Sequence, residues 1–129
     1  MYKFGAKSLA KLNDKQVHPK IKQLMLEAIK TSPMDFTILE TVRSEKTQQI
    51  YYKRGATRTM KSRHIPSSNL SGFCEAVDIA PFPIDWKNIQ AFKNLAEHIK
   101  SVAKKLGIEI NWGGDWRTFK DYPHFELKR

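Results

Sequence analysis

Glu75-Ala76-Val77-Asp78-Ile79-Ala80-Pro81-Phe82-Pro83 is the stretch on which the fold turns. Alternation puts Cys74, Ala76, Asp78 and Ala80 on one face, and Val77 and Ile79 on the other. Pro81 and Pro83 end the run, so the spacing predicts a short strand over 75–80. Downstream, Asp85 is a candidate N-cap for a long helix over 86–106. Its apolar stripe is Ile89, Phe92, Leu95, Ala96, Ile99, Val102, Ala103 and Leu106, and Gly107 supplies the stop. A strand over 108–112 follows. Gly113-Gly114 turns the chain, and 123–127 is a last extended segment, with Tyr122 biased to extended geometry by Pro123.

Upstream of Glu75 the chain is helical first. A short helix over 8–12 has Ser8 as its cap. A clearer one over 19–30 carries Ile21, Leu24, Met25, Ala28 and Ile29 at helical spacing, with Pro19 in the first turn. Ser32-Pro33 closes it, and 35–42 reads as a strand rich in Phe, Ile and Thr. Ser44 caps a helix over 44–52. Residues 55–70 lack a period and contain Gly55, Pro66 and Ser67-Ser68-Asn69, so they read as loop. Helices first and short strands late favour α+β, a small antiparallel sheet with flanking helices, over a parallel βαβ fold.

The 129 residues suit one domain, 1–129, built on one core. No apolar run approaches the ~20 residues that span a bilayer. The N-terminal stretch is too polar for a secretory signal, so synthesis and first residence in the cytosol are expected. Cys74 is the sole cysteine, which excludes an intramolecular disulfide. The net charge of +10 draws the chain toward polyanions: nucleic acid, anionic membrane or an anionic wall polymer. The basic residues are spread out, and charge alone does not choose among these.

The chemistry lies in two separated runs. One is Ser62-Arg63-His64 followed by Glu75-Ala76-Val77-Asp78. The other is Trp112-Gly113-Gly114-Asp115-Trp116 followed by Asp121-Tyr122-Pro123-His124-Phe125-Glu126. Two histidines and a carboxylate make a three-ligand zinc site with a fourth position for water. Asp121, three residues before a candidate ligand, suits a base acting on that water. A lone histidine is more often structural than ligating. Asp78, however, sits among Ala, Val and Ile, where a carboxylate is costly unless paired or metal-bound. His18, before Pro19, and His98, off the helical stripe, read as structural or solvated. Cys74 competes as a ligand, but four residues of strand put it ~14 Å from Asp78. One zinc with bonds of ~2.0–2.3 Å does not join both, so Cys74 reads as a small buried hydrophobe. Trp112 ends a strand and reads as core; Trp116 is the more exposed of the two.

Ser62-x-His64, Ala76-x-Asp78, Trp112-Gly-Gly-Asp-Trp and Asp121-x-x-His124 resemble the zinc D-Ala-D-Ala carboxypeptidase and L-alanyl-D-glutamate peptidase family. More closely, they resemble the small single-domain endolysins of tailed bacteriophages. Phe4-Gly-Ala-x-Ser-Leu, Val17-His18-Pro19, Asp35-Phe36-Thr37, Arg43-Ser44 and Gln48 agree, and the likeness covers nearly the whole chain. The resemblance implies that His64, Asp78 and His124 ligate Zn2+ and that Asp121 is the catalytic base. It implies that Arg43 steadies substrate or developing negative charge. It implies the α+β fold shared with hedgehog signalling domains. It also implies a peptidoglycan stem peptide as substrate, cut between L-alanine and D-glutamate, and release from the host cytoplasm to the wall at lysis. One departure stands out. The family pattern SxHxxGxAxD has six residues between His and Asp, whereas thirteen separate His64 from Asp78 here. Residues 65–75 then read as an insertion beside the metal, expected to bear on substrate access. Two rivals keep part of this reading: a D,D-carboxypeptidase or dipeptidase, and a non-catalytic zinc-containing binding module. Nucleic acid and membrane insertion are not expected, and a monomer is.

Overall fold

A computed structural model describes residues 1–57 and 59–129. The elements run α1 (Ala6–Leu12), α2 (Pro19–Thr31), β1 (Phe36–Glu40), α3 (Glu45–Lys53), β2 (Ala76–Pro81), α4 (Ile89–Leu106), β3 (Ile110–Trp112) and β4 (His124–Leu127). Short 3-10 turns occupy Pro66–Ser68 and Gly113–Asp115. The strands form one antiparallel sheet in the order β1-β2-β4-β3. This is the α+β arrangement expected from the order of elements, with every strand that was expected and no parallel crossover within the sheet.

The core lies on one face of the sheet. Val77 and Ile79 of β2 and Phe125 and Leu127 of β4 pack there against Leu24, Met25 and Ala28 of α2 and Leu95, Ala96 and Ile99 of α4. Period two in the strands and period 3.6 in the helices bring the same apolar set together. The opposite face carries Asp78 and His124.

Two expected caps are displaced. Ser8 does not cap α1; Gly5 does, without a side-chain bond. Ser8 is buried, and its hydroxyl instead accepts from the Ile38 N–H (3.1 Å) and pairs with the Thr37 hydroxyl (3.0 Å). Lys11 donates to the Ile38 carbonyl (3.3 Å), so α1 covers β1, the outer strand of the sheet. Asp85 does not cap α4 either. Its carboxylate accepts from the Lys87 N–H in a preceding turn, and Asn88 accepts from the Ala91 N–H as the true cap. An Asx turn and an N-cap draw on the same residue types, so the later candidate was hidden. Ser44 does cap α3, accepting from the Thr47 N–H, and Gly107 takes φ 71° at the end of α4.

The Gly113-Gly114 turn works by close approach rather than by left-handed geometry, since neither residue has a positive φ. A Cβ on Gly113 would collide with the Asp121 carbonyl, and one on Gly114 would enter the Trp112 indole. Packing thus excludes side chains where the chain passes beneath Asp121.

Candidate metal centre

Strand register builds the site. Asp78 lies opposite His124 on β4 and opposite Glu40 on β1, giving a row across three strands. An irregularity in β1 between Ile38 and Glu40 re-aims Glu40 toward that row. His64 arrives from the connection between α3 and β2. Its N–H is bonded to the Ser62 hydroxyl (3.1 Å), and its carbonyl accepts from the Arg43 N–H (3.0 Å).

The donor atoms converge. His64 Nε2 and His124 Nδ1 each lie 3.0 Å from the same oxygen of Asp78. One ligand atom from each of the three falls within 4.8 Å of the others, and this is the group able to hold a metal among the described residues. The far side of each ring is also held. His64 Nδ1 meets the Thr41 carbonyl at 2.6 Å, and His124 Nε2 meets Glu126 at 2.8 Å. A ring N–H donated outward leaves the inward nitrogen with its lone pair, the tautomer a metal requires. The residues therefore fit a zinc ion of the two-histidine, one-carboxylate class.

Electrostatics point the same way. Burial alone would lower the His64 pKa. The charge and hydrogen bond of Asp78 outweigh it and push the imidazole up to about 10. Burial would likewise raise Asp78, but the two histidines hold its carboxyl far below the usual range. His124 is raised, its bonds to Asp78 and Glu126 outweighing burial. The pocket thus retains positive charge strongly, and a divalent cation can replace the protons.

Asp121 lines the same cavity, of about 800 Å³, as the three donors. Burial and then the charge of Asp78 raise its pKa. Its backbone is fixed by Asp121 N–H to Gly113 carbonyl (3.1 Å) and by donation from the His124 N–H (3.2 Å). Arg43 also lines the cavity, 3.9 Å from the second Asp78 oxygen. Glu40 binds its Nε and a terminal nitrogen, Gln48 binds the other terminal nitrogen (2.8 Å), and the guanidinium lies 4.7 Å over Tyr51. Two of its five N–H groups remain uncommitted in these bonds.

The full chain, residues 1–129, matches the family model for phage L-alanyl-D-glutamate peptidases. The chain belongs to that family. It is 31% identical to the L-alanyl-D-glutamate peptidase of Escherichia phage T5, over 99% of this chain and 90% of that protein. It is 32% identical to the Bacillus subtilis peptidoglycan L-alanyl-D-glutamate endopeptidase CwlK, over 86% of this chain and 73% of that one. The Serratia marcescens L-Ala D-Glu endopeptidase ChiX has the same fold, with a TM-score of 0.81 and 31% identity over 98% of this chain and 90% of that one.

Other sequence expectations fall out as follows for this peptidase. His18 caps α2, accepting from the Lys20 N–H, and His98 Nε2 meets the Ala28 carbonyl (2.8 Å); both are structural. Cys74 is buried, with its thiol on the Ala76 carbonyl, and is not part of the ligand group. Trp112 is core, whereas Trp116 is half-buried with its ring 5.2 Å from that of His124. None of residues 65–75 lines the cavity, although Cys74 within the insertion bonds to the His64 side chain and so touches the candidate metal group. Asn69 gathers it instead, donating to the carbonyls of Arg63, Ile65 and Phe73. Residue 58, within the expected loop over 55–70, lies outside the described residues.

Sequence reasoning missed Thr41, Glu126 and Arg63. Arg63 bridges Glu75 (2.6 Å) and Glu126 (3.1 Å) and donates to the Leu127 carbonyl (2.7 Å). Glu126 was visible as the residue two beyond His124, on the same face of a strand, a spacing that brings side chains together.

Proposed function

We propose that the chain is a zinc-dependent peptidoglycan endopeptidase, an endolysin, hydrolysing the L-alanyl-D-glutamate bond of the stem peptide. One catalytic domain over 1–129, acting as a monomer, carries the activity. The carrying observation is the convergence of His64, Asp78 and His124 with Asp121 on the wall of one cavity. The names of the T5, CwlK and ChiX relatives support the bond assignment.

His64 Nε2, an Asp78 oxygen and His124 Nδ1 would hold zinc. A zinc ion there supplies Lewis acidity, lowering the pKa of water to ~7 and polarising the peptide carbonyl. Asp121 takes the proton from the attacking water on its carboxylate. Its raised pKa lets it return that proton to the departing D-glutamate amine. Arg43, rigidly bracketed by Glu40, Gln48 and Tyr51, presents its remaining N–H groups to the oxyanion. As a lysin the protein acts on the wall after leaving the host cytoplasm, and among the described residues no helix is long and apolar enough to cross a membrane. The positive charge suits an anionic wall.

The test is mass spectrometry of Gram-negative peptidoglycan digested with and without a zinc chelator. Chelator-sensitive peptides with a new D-glutamate N-terminus are expected. Release of terminal D-alanine instead would make the protein a carboxypeptidase. No cleavage by zinc-loaded protein would favour a binding module.

A further inference from the structure

Residues 82–89 lead from β2 into α4 and leave Phe82, Ile84, Trp86 and Ile89 in solvent. That is a concentration of apolar surface which calls for a ligand. Trp86 differs from the other three because it lines the metal cavity. Its indole is 59% exposed, yet it is held flat on Phe92, with ring centres 5.8 Å apart and planes 18° apart. Phe92 is itself buried in α4. Trp86 is therefore an exposed aromatic plate backed by the buried Phe92 ring. Phe119, 40% exposed, lines the same cavity, as do Thr57, Thr59 and Thr118. A cavity of about 800 Å³ is larger than one dipeptide needs.

On the endopeptidase reading, which this inference rests on, the attacked carbonyl belongs to L-alanine. The amino group of that alanine is joined through a lactyl ether to muramic acid. Two residue lengths of extended chain, about 7 Å, then separate the reacting carbon from a pyranose ring. The sugar must lie in the cavity or at its mouth. A pyranose offers an apolar C–H face ringed by hydroxyls, which matches an aromatic plate in a cavity that polar residues also line. We propose that Trp86, with Phe119, forms a saccharide subsite that takes the muramic acid ring beside the scissile bond. Glycan-linked stems are then preferred over free peptides, because contacts remote from the reacting bond are turned into rate there.

The experiment compares two defined substrates on zinc-loaded protein. One is a muropeptide retaining its N-acetylmuramic acid. The other is the same stem with the L-alanine amine acetylated, so that charge does not differ. The wild type should favour the sugar-linked substrate in kcat/KM by about tenfold. In Trp86→Ala that ratio should fall toward one, and Trp86→Phe, which keeps a ring, should restore most of it. An unchanged ratio in Trp86→Ala overturns the subsite, as does a wild type indifferent to the sugar. A Trp86→Ala variant that alters sedimentation but not the ratio assigns the plate to contact with a second copy and also overturns it. Wild-type protein that binds zinc but cleaves neither substrate sinks the endopeptidase reading itself, a different result from any of these.

Discussion

His124 meets Asp78 through Nδ1 and Glu126 through Nε2, so Glu126 orients a proposed zinc ligand without being one itself. Removing the negative charge from such a partner weakens metal binding about 10–100-fold. Glu126→Gln should therefore raise the zinc Kd by that factor in chelator competition, with the fold intact by circular dichroism. Asp121→Ala should behave in the opposite way. Turnover should drop by about 10²–10⁴-fold while zinc stays bound, measured as kcat beside metal content. Loss of zinc in that variant would show that ligand and base have been assigned the wrong way round. The convergence of His64, Asp78 and His124 was legible because metal chemistry restricts residue types sharply. Thr41 was not, because it contributes a backbone carbonyl, and any residue has one.

At the scale of elements, the Gly113–Asp115 turn holds Asp121, the proposed base. The Gly113 carbonyl accepts from the Asp121 N–H, and a Cβ on Gly113 would strike the Asp121 carbonyl. Gly113→Ala should destabilise the fold by about 1–3 kcal/mol in urea titration, through backbone displacement. It should lower kcat more than Ala substitution at the exposed residue Asp115. Helices and strands were readable here since apolar periodicity is a property of the whole segment: α2, α4 and β2 fell where their stripes put them. Caps were less readable, because Ser8, Asp85 and Asn88 are chemically eligible for several local bonds and tertiary contacts choose among them. The insertion was visible as extra spacing. Its compact course was not, since that depends on Asn69 finding three carbonyls that are brought together only by folding.

For the whole molecule, the buried His64–Asp78 pair couples stability to pH. The His64 pKa rises from 6.5 to about 10 on folding, so its stabilising contribution is complete below 6.5 and lost as pH climbs toward 10. Asp78 is lowered from 3.8, so its contribution is present above 3.8 and lost as pH falls below it. Metal-free protein should thus show its highest Tm between these limits and a falling Tm on the alkaline side. Zinc at the proposed site would compete with those same protons, so the Tm gain on adding zinc should widen with pH over that range, as scanning calorimetry would measure. The excursion over 65–75 has a further consequence. Asn69 clamps its two ends together, and Leu70 beyond the clamp is fully exposed and does not line the cleft. Lengthening a closed loop costs only about 0.6 kcal/mol per doubling. The tip between Leu70 and Ser71 is accordingly a graft point. A foreign peptide carried there, such as a cell-targeting tag, would be anchored at an exposed turn that does not line the cleft.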